Sequence, residues 1–298
     1  MTAFTRVRNW ALAAFAMVIA NPVQAADPVY QNSPHLDSRP IYEQRPAVDG
    51  INFKVSALTG VVGGFANHML VASVATPFPY FEQFGAQLDL GVGNYRHDYN
   101  SAAAGLHLFW RDPSLGMLGI YGDWAYVNPE HAGRVGVEAA LYRGQWSLDV
   151  LAGVQFGQHV FTRFIDEVDL SYYFTENFKG SVGHRLTSRG HAANIGFEYM
   201  PEGYNGWSLY GEAEAGQDDY YGAWVGVRYS FGTGKANTLM ERDRTADPVV
   251  RIPRNIASVT QCGILANSKP QNWWRSEMTS LCASADEIAR EGGVIAKQ

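Results

Sequence analysis

Two histidine neighbourhoods are the first places where residue types could do chemistry. His184, Ser188 and His191 fall around one expected hairpin tip, and His97 with Asp98 falls on another connection. A hydroxyl or carboxylate beside an imidazole can serve nucleophilic or general-base catalysis. Polar loop tips bring such residues together by composition alone, however, and the linear signatures of known sites are missing. There is no Gly-x-Ser-x-Gly, no His-Glu-x-x-His and no phosphate-cradling Gly-Lys-Ser/Thr, and Gly232-Thr233-Gly234-Lys235 lacks the full spacing. The expectation is a protein that is not an enzyme, with no catalytic residue, cofactor or metal ligand assigned.

The charged side chains carry a stronger pattern than the histidines. Between about 51 and 232 they recur in phase with a period of two. Trp207, Leu209, Gly211, Ala213 and Ala215 alternate with Ser208, Tyr210, Glu212 and Glu214. Trp146, Leu148, Val150, Ala152, Val154 and Phe156 alternate in the same way with Ser147, Asp149, Leu151, Gly153 and Gln155. Period two means strand, with one face apolar and the other polar. Turn signals such as Arg143-Gly144, Glu176-Asn177 and Asp112-Pro113 divide the region into twelve segments. These are 51–65, 67–77, 82–94, 100–111, 114–127, 131–142, 145–157, 160–174, 177–187, 191–200, 206–216 and 219–231. Gly60, Gly63 and Gly64 inside the first leave ten or fourteen as alternative counts. Most exceed the ~5–6 residues of a globular strand and fit the ~9–11 tilted residues that cross a bilayer. Short connections require antiparallel neighbours.

Composition agrees with strands in a membrane. Only 17% of the 298 residues are charged, 13% are aromatic and 31 are glycine, against ~25% charged in average soluble domains. The net charge of −6 gives no electrostatic reason to bind nucleic acid. Arg6 and Arg8, the apolar run 10–20 and Val23-Gln24-Ala25 read as a cleaved export signal over 1–25. Trp110, Trp124, Tyr126, Trp146, Phe174, Tyr199, Trp207, Tyr221 and Tyr229 lie near segment ends, where an interfacial belt would place them.

The last segment resembles the closing strand of Gram-negative outer-membrane β-barrel proteins. Its Gly226, Tyr229 and Phe231 fill the Gly-x-x-aromatic-x-aromatic assembly signal, although Trp224 stands at a usually polar first position. The likeness is porin-like over about 180 residues, with a weaker similarity to the twelve-stranded barrels of inverse autotransporters. It implies an all-β, antiparallel, transmembrane up-and-down barrel. The barrel would be inserted by the barrel-assembly machinery into outer-membrane lipid, with both chain ends in the periplasm.

On this reading the polar face lines a lumen. Its candidates are Asp89, Asp123, Glu138, Asp149, Glu167, Asp169, Glu198, Glu212 and Glu214, against Arg134, Lys179, Arg185 and Arg228. An excess of acids favours cations. The expected function is a passive channel for small cationic or neutral solutes. An anchoring or adhesin-type barrel without a conducting pore is the alternative, and an outer-membrane hydrolase the third. No repeated sandwich domains follow Gly232 to serve as a passenger. Oligomeric state is left open.

The flanks read as polar appendages. Residues 26–50, with Pro28, Pro34, Pro40 and Pro46, form a periplasmic lead-in. The barrel is 51–232, and the charged stretch 233–254, with Pro248 and Pro253, is a linker. Residues 255–298 form a small, partly helical periplasmic tail containing Cys262 and Cys282. Two cysteines in an exported chain most often pair. A bridge between them would close a loop of about 20 residues, worth roughly 3 kcal/mol.

Overall fold

A computed structural model describes residues 45–96, 99–128, 130–157, 162–187, 190–203, 206–217, 220–234 and 236–260. The export signal, Cys262, Cys282, His97, Asp98 and Ser188 lie outside these residues.

Alternating apolar and polar side chains fold into twelve strands: β1 Asn52–Val62, β2 Phe65–Phe78, β3 Phe81–Tyr95, β4 Tyr99–Asp112, β5 Gly116–Val127, β6 Glu130–Arg143, β7 Trp146–Gly157, β8 Arg163–Thr175, β9 Phe178–Thr187, β10 Gly190–Tyr199, β11 Trp207–Gly216 and β12 Tyr221–Gly232. Each pairs antiparallel with its chain neighbours, and β1 pairs with β12 from Asn52↔Gly232 to Val62↔Gly222, closing the barrel. The glycines of the first expected segment are accounted for by the turn. Gly63 and Gly64, with φ of 57° and 87°, form the two-residue β1–β2 turn, whose positive φ values a side chain would resist. The count is therefore twelve.

Closure removes every sheet edge and leaves two faces. The outer face is apolar: Leu70, Leu118 and Ile195 are 57%, 61% and 61% exposed, and leucines, valines and phenylalanines continue around the wall. Call the end where β1 starts the near mouth. Around it runs a chain of touching rings, Trp146–Tyr172–Phe174–Phe178–Tyr199, and beside the seam another, Trp207–Tyr229–Phe231–Phe53. Tyr229 and Phe231 thus project outward on the closing strand. Gly226 faces inward, where a side chain would meet the Ala57 carbonyl and, at 2.8 Å, the Tyr210 ring.

Two short helices lie where a linker and the start of a tail were expected. Helix α1 spans Leu239–Thr245 and helix α2 spans Ile252–Val259, across the division placed at 254/255. Thr238 caps α1 by accepting the Glu241 N–H at 3.2 Å, while Glu241 reaches back to the N–H of Asn237 at 2.9 Å. Pro253 sits in the first turn of α2, where its missing N–H costs nothing. A proline that suggests a linker therefore starts a helix.

Helix α1 lies across the near mouth and α2 lies inside the barrel. At the near mouth, Met240 N–H donates to Glu176 O at 2.9 Å, and Arg244 reaches Gly144 O at 2.7 Å. Asp247 then pairs with Lys54, the Pro248 carbonyl meets Gln87 and Arg251 meets Glu167. Asn255 reaches Asp123 and the Ala132 carbonyl, near the start of β6. Ile252, Ile256, Ala257 and Val259 are fully buried in one cluster with Val62, Tyr95, Val127 and Ala132, which lie at the far mouth. By its last described residue the chain has crossed the barrel. The chain end, for which a periplasmic tail was expected, lies outside the described residues.

The end of the expected lead-in packs against the barrel. Ala47 and Val48 are fully buried with Phe109, Met117 and Ala140, and Asp49 N–H donates to Thr245 O at 2.7 Å. Apolar residues before β1 thus fold into the near mouth, where water would otherwise meet them.

Candidate functional site

The inner face is built by every second residue of the strands, so the polar phase of the sequence becomes a lining. The structure turns Asp89, Asp123, Arg134, Glu138, Asp149, Glu167, Asp169, Arg185, Glu198, Glu212, Glu214 and Arg228 to that face, and Lys179 with them. They form three linked groups.

At mid-barrel, on β5, β6 and β8, Arg134 donates to Asp123 at 2.5 Å and to Glu167 at 2.6 Å. Glu167 also accepts from Arg251, the residue that caps α2, and from Arg254 of α2, each at 2.9 Å. Arg254 goes on to Asp169 at 2.6 Å and to both oxygens of Glu212 at 3.0 and 3.1 Å. Asn194 donates to the second Asp169 oxygen at 2.6 Å, and Arg185 pairs with Glu214. One guanidinium thus ties three carboxylates from β8 and β11 to the helix. Its fork of fixed donors is what permits this.

Toward the near mouth, Glu198 accepts from Arg228 at 2.6 Å, from Ser208 at 2.7 Å and from Arg242 of α1 at 2.8 Å. Lys179 donates to Asp243 at 2.5 Å. On the opposite wall, His107 is held between Glu138 at 2.9 Å and Asp89 at 3.2 Å, all three almost wholly buried. Asp149 borders a cavity of about 140 Å³ with Ser147, Tyr173, Lys179 and Asp243. A second cavity of about 290 Å³ opens at the near mouth beside Lys54, Arg242 and Asp247.

The acids expected to line the lumen meet bases that the strands alone do not supply. Arg242, Arg251 and Arg254, placed in the linker by composition, are the partners of Glu198, Glu167, Asp169 and Glu212. Lys54, His107 and Arg111 also face inward and were outside the expected set. A signal for the plug existed in the sequence. Ile252, Ile256 and Val259 repeat at i, i+4 and i+7, while Arg251 and Arg254 share another face.

Chemistry of another kind is less developed. Among the described residues no group of three or more His, Cys, Asp or Glu side chains gathers as for a metal ion. His184 and His191 do come together, on the outer face near the far mouth.

No family profile matches the chain, and no curated protein matches it. Solved structures similar to it are outer-membrane barrels. The KdgM porin is 12% identical, with a TM-score of 0.47, over 60% of this chain and 99% of that one. Omp33 of Acinetobacter baumannii is 9% identical, with a TM-score of 0.42, over 61% and 99%. The translocator domain of the autotransporter NalP from Neisseria meningitidis is 15% identical, with a TM-score of 0.39, over 61% and 88%.

Proposed function

We propose that the protein is an outer-membrane channel for small solutes, held closed by its own C-terminal chain. The observation that carries this reading is a barrel apolar outside and charged inside, whose occupant is held along one side by ion pairs. An apolar wall all around a closed barrel suits lipid and would be a liability in water. The rings at the near mouth suit a headgroup boundary. The strand with Gly226, Tyr229 and Phe231 is the proposed recognition element for the assembly machinery. With the near mouth periplasmic, the far mouth faces outside the cell.

Ion pairs suit a plug that moves. Each buried pair forms at the cost of desolvation and so contributes little net stability, and the unfilled cavities beside the helices leave room for displacement. When the plug leaves, its arginines leave with it and the lining acids face the conduit. Small cations or neutral solutes are then the passengers. Full-length protein in a planar bilayer should show infrequent openings that become frequent in Arg254→Ala. Silence in both would overturn the channel.

A second reading has its own observation, the crossing of the lumen from one mouth to the other. It makes the barrel an anchor that presents residues after Thr260 outside the cell. After mild reduction, a membrane-impermeant thiol reagent should then label Cys262 and Cys282 in intact cells. Labelling only after the outer membrane is opened would exclude this reading.

A further inference from the structure

We infer that His184 and His191 form a binding site for a divalent transition-metal ion on the outer rim of the barrel. The two residues lie on neighbouring strands, β9 and β10, and both project from the outer face. The pairs His184↔Ala193 and Leu186↔His191 set them diagonally across the ladder, and their rings lie 5.1 Å apart. Nε2 of His184 and Nδ1 of His191 converge to 2.9 Å. Two nitrogens each ~2.0–2.1 Å from one ion, at the angles of octahedral or tetrahedral coordination, lie ~2.9–3.3 Å apart. The spacing is that of two adjacent ligands.

A carboxylate lies beside the pair. Asp166 on β8 places Oδ1 3.1 Å from Nδ1 of His184. Among the described residues that oxygen makes no hydrogen bond, and its negative charge beside the two imidazoles favours a bound cation. The backbone N–H of His191 is held by Gln217 Oε1 at 2.9 Å, which steadies the second ligand. His184 has 46% of its side chain exposed and His191 is exposed, so an ion reaches them without opening the barrel. With two protein ligands, water completes the shell. Imidazole donors favour copper(II), nickel(II) and zinc(II) over magnesium or calcium, with copper(II) bound most tightly. The sequence places the two residues at one hairpin tip, and the strand offset across the ladder brings their nitrogens together.

The alternative for the same geometry is a ring-to-ring hydrogen bond sharing one proton, and the test separates them. Purified full-length protein in detergent, stripped with chelator, is titrated with copper(II) and with zinc(II) by calorimetry. The copper signal is followed by electron paramagnetic resonance. The expected result is one ion per chain, copper tighter than zinc, with nitrogen couplings in the copper spectrum. His184→Ala and His191→Ala should each lower affinity at least tenfold and change the spectrum. These positions lie on the outer rim, so heat-modifiable migration on gels checks that the variants keep the barrel. No saturable binding in the wild type, or equal binding by a His184→Ala/His191→Ala double variant, overturns the site.

Discussion

Removing Arg254 should unlatch the lumen, and the contacts set the size of the effect. Its guanidinium meets Glu167, Asp169 and both oxygens of Glu212. Arg254→Ala leaves Glu167 with Arg134 and Arg251, and Asp169 with Asn194. Among the described residues Glu212 keeps Arg185, at 3.6 Å. Breaking a buried pair from one side costs about 3–5 kcal/mol. That cost falls on the docked plug alone, since an undocked helix leaves Arg254 in water. At about 1.4 kcal/mol per factor of ten, the docked-to-undocked ratio drops by roughly 10²–10³ or somewhat more. In planar bilayers the open probability should rise accordingly, and the open state should prefer cations because the acids are then unmatched. That preference should fade at ~1 M salt, where the screening length is ~3 Å. A compensating Arg254→Met/Asp169→Asn/Glu212→Gln variant removes most of the orphaned charge and should close the pore again. Unchanged open probability in Arg254→Ala, an anion-preferring open state, or no recovery in the compensated variant would each refute the reasoning.

Two further outcomes test the wall and the seam. Ile195→Arg, at a lipid-facing position 61% exposed, should destabilise the folded barrel by about 2–4 kcal/mol in vesicle refolding. Leu115→Arg, equally exposed but in the β4–β5 turn, should be nearly neutral, and equal damage at both would argue against a bilayer around the wall. Tyr229→Ala, Phe231→Ala and Gly226→Arg should each lower the amount inserted in membrane fractions, the last because no side chain fits beside the Ala57 carbonyl and Tyr210. Wild-type levels in all three would place the assembly signal elsewhere.

The strands were legible because a wall with lipid on one side and charge on the other forces strict alternation on the chain. Trp207 to Ala215 could be read residue by residue. The ends of the first segment were less legible, because glycines serve both strands packed closely and turns, and only backbone angles distinguish Gly60 from Gly63 and Gly64. The plug was read as solvent-exposed for a physical reason. Arg242, Arg251 and Arg254 look like surface charge unless their partners are known, and those partners lie 42 to 87 residues earlier in the chain. Local composition cannot express a long-range match of charge. Likewise His184 and His191 read as neighbours at a hairpin tip, whereas the convergence of their nitrogens is a product of strand offset.

The seam between β1 and β12 imposes an order of events during biogenesis. The plug follows β12 in the chain, yet it lies within the ring that β12 closes. Either the seam seals around helices already laid in the cavity, or the chain after Gly232 is fed end-on through a finished ring. Feeding through admits an extended strand or a single helix and obstructs a closed covalent loop. A bridge between Cys262 and Cys282 made beforehand would therefore act as a knot on the thread. On the end-on route the timing of thiol oxidation decides whether a newly made molecule completes its passage or stalls with the lumen half filled.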